Sequence, residues 1–180
     1  EMLHLARLRT TSEEAMIWEE LDLADVLESS ITLVKAMAEA REVRFQTELE
    51  PVRILAVPEQ IQLLLTNVLS NAVLYSYRGG PVGVKCRAAW PKGPVVTVAD
   101  KGIGIGGDKL PHIFEEYYRT DEAVRHNKGA TGLGLAIVQH VAQTHQIQIV
   151  VESEPEVGTT FELHFPAPGE LKLRPKIAGG

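Results

Sequence analysis

Apolar residues recur at helical spacing in three separate segments of the chain. In the first, Leu23 to Ala40, they fall at positions 23, 27, 31, 34 and 38. The second begins near Pro58, a residue suited to a first helical position, and continues to about Ser76. The third covers residues 132–145. These patterns predict three amphipathic helices, each with one face toward a core.

Short stretches of alternating or β-branched residues lie between and after these helices. They predict strands at residues 43–49 and 52–57 around a turn, a pair at 82–90 and 95–99, and a closing pair at 147–151 and 160–165. Strands therefore cluster at both ends of a helix-bearing middle, which favours an α+β fold over strict strand–helix alternation. We predict a two-layer α/β sandwich whose mixed, mostly antiparallel sheet is covered by about three helices.

Composition narrows the classes of function. With 180 residues and 44% apolar content, the chain can bury one good core, so we expect one domain with appendages. A net charge of −6 argues against a nucleic-acid surface. No apolar run approaches the roughly 20 residues of a membrane span, so we expect no membrane contact. The lone cysteine, Cys86, suits a reducing compartment and is expected to be buried in a strand.

Two asparagines on the second predicted helix carry the first chemical signal. Asn67 and Asn71 are four residues apart, so they lie on one face of the helix. An isolated pair of amides would be no more than a solvated surface, although Asn is a poor residue for a helix interior. The opposite face is apolar and consists of Ile61, Leu64, Leu65, Val68, Ala72 and Val73.

A carboxylate and two glycine-rich segments follow the asparagines. Asp100 ends an apolar strand and precedes Gly102 and Gly104, a pattern that also fits a capped turn. Residues 102–107 match G-x-G-x-x-G, but no helix opens there as a dinucleotide fold requires. A P-loop is excluded because no Gly-Lys-Ser/Thr occurs. Residues 129–134 lead into the third helix, whose N-terminus offers free N–H groups to phosphate oxygens.

Taken in order, these segments resemble the conserved boxes of sensor histidine kinases. Asn67-Val-Leu-Ser-Asn71 resembles the N box, Asp100-Lys-Gly-Ile-Gly104 the G1 box, and Gly129-Ala-Thr-Gly-Leu-Gly134 the G2 box. Phe114-Glu-Glu-Tyr-Tyr-Arg119 resembles the F box and lies where that family keeps it. The resemblance covers roughly residues 20–166 and implies the Bergerat-type ATP-binding fold of the gyrase, chaperone and histidine kinase superfamily.

The resemblance implies a Mg-ATP site between the second and third helices, under a mobile lid at residues 106–130. Asn71 would hold the Mg²⁺ that bridges the triphosphate, and Asn67 would lie beside the phosphates. Asp100 would accept a hydrogen bond from the exocyclic amine of adenine, and the glycines after it would let the backbone approach the base. Thr160 would reach adenine through water. The implied ATP-binding residues are Asn67, Asn71, Tyr75, Asp100, Gly102, Gly104, Ile105, Arg119, Lys128, Gly129, Thr131, Gly132, Leu133, Gly134, Leu135 and Thr160.

Position 67 bears on the type of reaction. Gyrase- and chaperone-type ATPases carry Glu there as a base that activates water, and an amide cannot accept that proton. Asn67 therefore disfavours a hydrolase and favours transfer of the γ-phosphate to another nucleophile. In histidine kinases that nucleophile is a His followed by an acidic residue, and none of the six histidines has this setting. We therefore expect the acceptor helix to precede Glu1.

The resemblance also implies a domain layout and partners. Residues 1–20 would end a dimerisation helix and linker, 21–166 would form the ATP-binding domain, and 167–180 would be a disordered tail. The phosphate would pass to a His of the protein's own dimerisation domain and then to the receiver domain of a response regulator. This part of the protein would lie in the cytoplasm, whether or not the parent is anchored in the membrane.

Two departures from the family pattern have consequences. Leu74 stands where many relatives have a basic residue, which predicts weaker triphosphate binding. It also leaves open an alternative function, a degenerate module that senses nucleotide without catalysis. Gln146 and Ile147 replace the usual Gly-Gly, so the third helix is expected to lack a left-handed cap.

Overall fold

The computed structural model describes residues 16–89, 92–127, 129–167 and 176–177. Its helices are α1 (Leu23–Ala40), α2 (Pro58–Tyr75), the short α3 (Asp121–His126) and α4 (Gly134–Thr144), and a 3₁₀ turn covers Leu110–His112. Its strands are β1 (Ile17–Asp22), β2 (Arg44–Leu49), β3 (Arg53–Ala56), β4 (Pro81–Ala88), β5 (Pro94–Asp100), β6 (Gln148–Glu154), β7 (Gly158–His164) and β8 (Lys176–Ile177).

The main sheet has five strands in the order β2-β4-β5-β7-β6. Only the pair β2–β4 is parallel within it, so the sheet is mixed and mostly antiparallel, as predicted. Helix α2 packs between α1 and α4 and lies against β5. The predicted α+β sandwich is confirmed, and α2 is its central helix.

A second, smaller sheet in the order β3-β1-β8 was not predicted. The expectation of a linker up to residue 20 is wrong for residues 17–20, because β1 begins at Ile17 and pairs antiparallel with β3. The expected disorder of the C-terminal tail is wrong for Lys176–Ile177, which pairs with the start of β1. The strands predicted on either side of the turn at residues 50–51 also belong to different sheets. The rest of both predicted tails, and Trp90, lie outside the described residues.

The predicted apolar faces form one core. All six apolar residues assigned to the face of α2 are buried, as are Leu23, Leu27, Val34 and Ala38 of the α1 stripe. Cys86 is buried in β4, as expected. No helix within the described ranges has both the length and the apolar character needed to cross a bilayer.

Helix α4 ends in a left-handed residue although it lacks the family's glycine. Gln146 has φ +54°, and its N–H donates to the Gln143 carbonyl at 3.2 Å. The Ile147 N–H donates to the Ala142 carbonyl at 2.8 Å, which completes a Schellman motif. The expectation that this cap is missing is therefore wrong. The burial of Ile147 holds the chain in this conformation, because the side chain beyond the cap packs into the core.

Candidate nucleotide-binding site

A cavity of about 790 Å³ opens between α2, α4 and the segment 103–133. Its volume falls in the range of small-molecule sites. Its walls include most of the residues that the sequence singled out, namely Asn67, Asn71, Tyr75, Asp100, Gly104, Ile105, Arg119, Gly129, Thr131, Gly132, Leu133, Gly134 and Leu135. Three separate stretches of sequence therefore meet at one cavity.

Asp100 provides a carboxylate in the cavity wall at the end of β5. The backbone N–H of Thr159 donates to its Oδ1 at 3.3 Å. Desolvation by burial outweighs that hydrogen bond and raises the pKa of Asp100 to about 7. Because one hydrogen bond does not offset the desolvation of this half-buried carboxylate, a hydrogen-bond donor on a ligand would stabilise it.

The glycines after Asp100 are required by close contact within the protein. A Cβ on Gly102 would lie 2.0 Å from the Tyr75 carbonyl oxygen. Gly104 has φ +61°, and a Cβ there would lie 1.9 Å from the Glu154 carbonyl oxygen. The atoms that exclude a side chain are thus the protein's own backbone rather than a base. Gly104 still lines the cavity, whereas Gly102 does not.

The two asparagines of α2 face the first residue of α4. The Asn67 side-chain amide donates to the Leu63 carbonyl at 2.8 Å, which leaves its Oδ1 turned toward α4. A Cβ on Gly134 would lie 3.0 Å from that Oδ1 and 3.9 Å from Asn71 Nδ2. Helix α4 begins there with Leu133 as N-cap and no side-chain capping bond. Its first N–H groups therefore remain open to an anion beside the two amides.

The side chains around the cavity suit a metal ion that takes most of its coordinating oxygens from a bound phosphate ligand and water. No cluster of three or more His, Cys, Asp or Glu side chains with metal-binding geometry occurs in the described part of the chain. Mg²⁺ takes few protein ligands when phosphate and water oxygens complete its shell. Asn71 fits that role because it lines the cavity beside the start of α4.

The segment 106–130, expected to be a lid, contains the helix α3. Arg119 lines the cavity, but its guanidinium donates to the carbonyl of Ala123 within that helix and to the carbonyl of Asn127, its C-cap. Arg41 at the end of α1 lies 2.9 Å from His126 of α3, measured from Nη2 to Nε2. The lid helix is thus attached to the core at its C-terminal end. Lys128, the other predicted cation, lies outside the described residues.

Thr160 does not line the cavity, so its predicted contact with a bound base is not supported. Side chains alternate along β7, and Thr159 and Phe161 occupy the cavity face instead. The alternation of the strand holds this signal, because Thr159 lies on the same face of β7 as the core residue Phe161. The other wall residues that the site prediction lacked are Met37, Ser70, Ala72, Leu74, Ile103, Ile113, Tyr117, Tyr118, Thr120, Ala123, Asn127 and Ala130.

The sequence model of the histidine kinase-, DNA gyrase B- and HSP90-like ATPase family matches residues 56–169, a range that contains the whole of α2 and α4. The chain belongs to this family. Among curated members, the sensor-like histidine kinase SenX3 of Mycobacterium tuberculosis is 34% identical over 168 residues, which is 93% of this chain and 40% of that protein. The sensor histidine kinase YkoH of Bacillus subtilis is 34% identical over 149 residues, 81% of this chain and 32% of that protein. The chain thus spans about a third to two-fifths of the length of these relatives.

Solved structures of histidine kinases share the fold of this ATPase-family chain. The mycobacterial sensor histidine kinase MprB matches with a TM-score of 0.74 at 26% identity, covering 84% of this chain and 98% of that one. Full-length ShkA in complex with AMPPNP matches with a TM-score of 0.76 at 26% identity, covering 93% of this chain and 35% of that one. The chain is therefore homologous to sensor histidine kinases and has the architecture of their catalytic domains.

Proposed function

We propose that this chain is the catalytic domain of a sensor histidine kinase, which binds Mg-ATP and transfers its γ-phosphate to a His on an upstream dimerisation domain. One observation carries the proposal. The Asp100 carboxylate, the amides of Asn67 and Asn71, and the uncapped start of α4 all border a single cavity of about 790 Å³. This arrangement supports the proposal, because an acceptor for a base and a site for phosphates would then share one cavity.

The base would lie at the Asp100 end of the cavity. Asp100 would accept from the exocyclic amine of adenine, a contact that guanine cannot make because it has a carbonyl at that position. The side chains of Ile103, Ile105 and Phe161 line the same cavity and offer apolar surface to a purine ring. Thr159 takes the place of Thr160 as the threonine beside the base.

The phosphates would lie between α2 and the start of α4. The N–H groups of that helix start and the loop 129–134 would bind phosphate oxygens. When bound through Asn71, Mg²⁺ would neutralise the charge of the triphosphate and fix its orientation. Arg119 would contribute positive charge if it exchanged its carbonyl partners on α3 for phosphate, and Lys128 would add a second cation.

The domain would supply position and charge rather than a nucleophile. Phosphoryl transfer depends chiefly on alignment and neutralisation, which these groups provide. Asn67 cannot take a proton from water, so the attacking group would be the imidazole of the upstream His. The phosphate would then pass to the receiver domain of a response regulator in the cytoplasm. The names of the relatives, sensor histidine kinases, support this assignment.

The test uses the parent protein and ATP labelled at the γ-phosphate. Asn71→Ala should abolish Mg²⁺-dependent labelling of the histidine, because the only amide proposed to hold the metal is removed. Gln62→Ala, also on α2 but not in the cavity wall, should label as the unaltered protein does. Labelling of the Asn71→Ala protein at the normal rate would contradict the proposed metal role.

A second candidate function follows from Leu74, which lines the cavity at a position where the family resemblance implies a basic residue. The domain would then bind nucleotide and regulate a partner through its lid without transferring phosphate. A parent protein that binds ATP saturably but never labels its histidine would favour this candidate over the kinase.

A further inference from the structure

The hydroxyl of Ser153, on β6, contacts three polar groups beside the base end of the cavity. The Ile105 N–H donates to Ser153 Oγ at 2.9 Å, and Ser153 Oγ donates to the Gly158 carbonyl at 3.0 Å. The Thr159 hydroxyl oxygen lies 2.8 Å from Ser153 Oγ. Ser153 itself does not line the cavity, whereas Ile105 and Thr159 do. It therefore lies behind two residues that a base would contact.

The number of protons on Ser153 indicates which hydroxyl donates in the hydrogen bond to Thr159. A hydroxyl has one proton to donate and two lone pairs to accept with. The proton goes to Gly158 and one lone pair accepts from Ile105, so the remaining lone pair accepts from the Thr159 hydroxyl. Thr159 is 7% exposed, and its only hydroxyl proton is then donated to a group within the protein.

We propose that Ser153 is a positioning residue that makes the Thr159 hydroxyl an acceptor toward the cavity, so that Thr159 and Asp100 together select a purine bearing an exocyclic amine. The Thr159 N–H also donates to Asp100, which holds both acceptors at the same end of the cavity. An amine has two protons and satisfies both acceptors, directly or through one water. A carbonyl at the same ring position has none and faces two lone-pair-bearing oxygens.

The opposite direction of the hydrogen bond makes a different prediction. If Ser153 donated to Thr159, the Gly158 carbonyl would lose the Ser153 proton and Thr159 would be free to donate into the cavity. A carbonyl-bearing base would then be tolerated. The ratio of affinities for ATP and inosine triphosphate separates the two arrangements, because inosine triphosphate carries a carbonyl where ATP carries its amine.

The experiment measures both affinities by calorimetry on this chain, at about pH 8 so that Asp100 is mostly ionised. This inference rests on the proposed ATP site. In Ser153→Ala, the preference for ATP over inosine triphosphate should fall about tenfold, since one oriented hydrogen bond corresponds to roughly that factor. Ser153→Thr keeps the hydroxyl and should retain the preference. Thr159→Val should lower it at least as far, and adding Ser153→Ala to Thr159→Val should lower it no further.

The outcomes separate this inference from the proposed function. If the unaltered chain binds no ATP, the proposed site is wrong and the inference falls with it. If the chain binds ATP but Ser153→Ala weakens both nucleotides equally, Ser153 only supports the loop, and the inference alone is overturned. Should Ser153→Ala fail to fold, Ser153→Cys replaces it, because a thiol fills the space but accepts hydrogen bonds weakly. An unchanged preference in that variant would likewise overturn the inference.

Discussion

Replacing Asp100 with Asn should stabilise the empty domain while removing its ability to bind ATP. Burial raises the pKa of this carboxyl from 3.8 to about 7, with desolvation as the largest cause. In neutral or alkaline solution the protein therefore holds a charge where its surroundings favour the neutral form. An amide of the same shape carries no charge, and its oxygen can still accept from the Thr159 N–H.

The size of the effect follows from the pKa difference. A rise of roughly three pKa units corresponds to about 4 kcal/mol between the two protonation states. We expect about half of this in the variant, on the order of 2 kcal/mol, because the Asn amide is itself desolvated. The folded-state pKa lies above the unfolded one, so the stability from protonated Asp100 is full below pH 3.8 and is lost as pH rises through about 7. The advantage of Asn should thus grow over this range.

Urea unfolding at about pH 5 and about pH 8 measures the effect, and ATP titration of the same samples measures the loss of binding. Asp108→Asn is a matched control, because it changes an exposed carboxylate in the neighbouring loop. The control should alter neither stability nor affinity appreciably. An Asp100→Asn protein no more stable than the unaltered chain at about pH 8 would refute the reasoning from desolvation.

Three further predictions test other parts of the structure. His145 is 2% exposed and accepts a hydrogen bond from the Val57 N–H, and burial is the main cause that lowers its pKa to about 4. The neutral imidazole therefore stabilises the fold by about 3 kcal/mol. This contribution is full above pH 6.5 and is lost as pH falls through 4. His145→Gln in an Asp100→Asn background should flatten the acid limb of the unfolding profile, and an unchanged limb would count against it. The Leu74→Lys protein should bind ATP about tenfold more tightly in calorimetry, because the substitution adds a cation to the cavity wall, whereas Leu74→Met should leave the affinity unchanged. Equal affinities of the Lys variant and the unaltered chain would contradict the argument from charge. Gln146→Gly should raise the free energy of unfolding in urea by about 1 kcal/mol, because glycine adopts the left-handed backbone conformation of this exposed position without strain. A loss of stability would exclude this source of strain.

The parts of the fold that were predicted depend on local pattern. The stripe on α2 places six apolar side chains on one face, and the same periodicity puts Asn67 and Asn71 on the other. Periodicity alone therefore located the core and one wall of the cavity. The glycine blocks located two further parts of the wall, because one follows a strand and the other begins a helix, whereas the wall residues of α1 and most of those at 113–127 were missed.

The parts that were missed depend on contacts between distant residues. Trp18 makes β1 a core strand because its ring packs 4.7 Å from that of His145, centroid to centroid, a partner that no local pattern names. Strands β2 and β3 follow one another in sequence, yet their pairing partners place them in different sheets. At Gln146 the local preference for glycine was overridden, since burial of Ile147 offsets a strain of about 1 kcal/mol.

The most direct test of the nucleotide site is calorimetric titration of this chain with ATP, with and without Mg²⁺, alongside its Asp100→Asn variant. We predict saturable binding that strengthens with Mg²⁺ and disappears in the variant. Absence of binding by the unaltered chain would contradict the proposed site. Equal binding by the variant would show that ATP is held somewhere other than the cavity between α2 and α4.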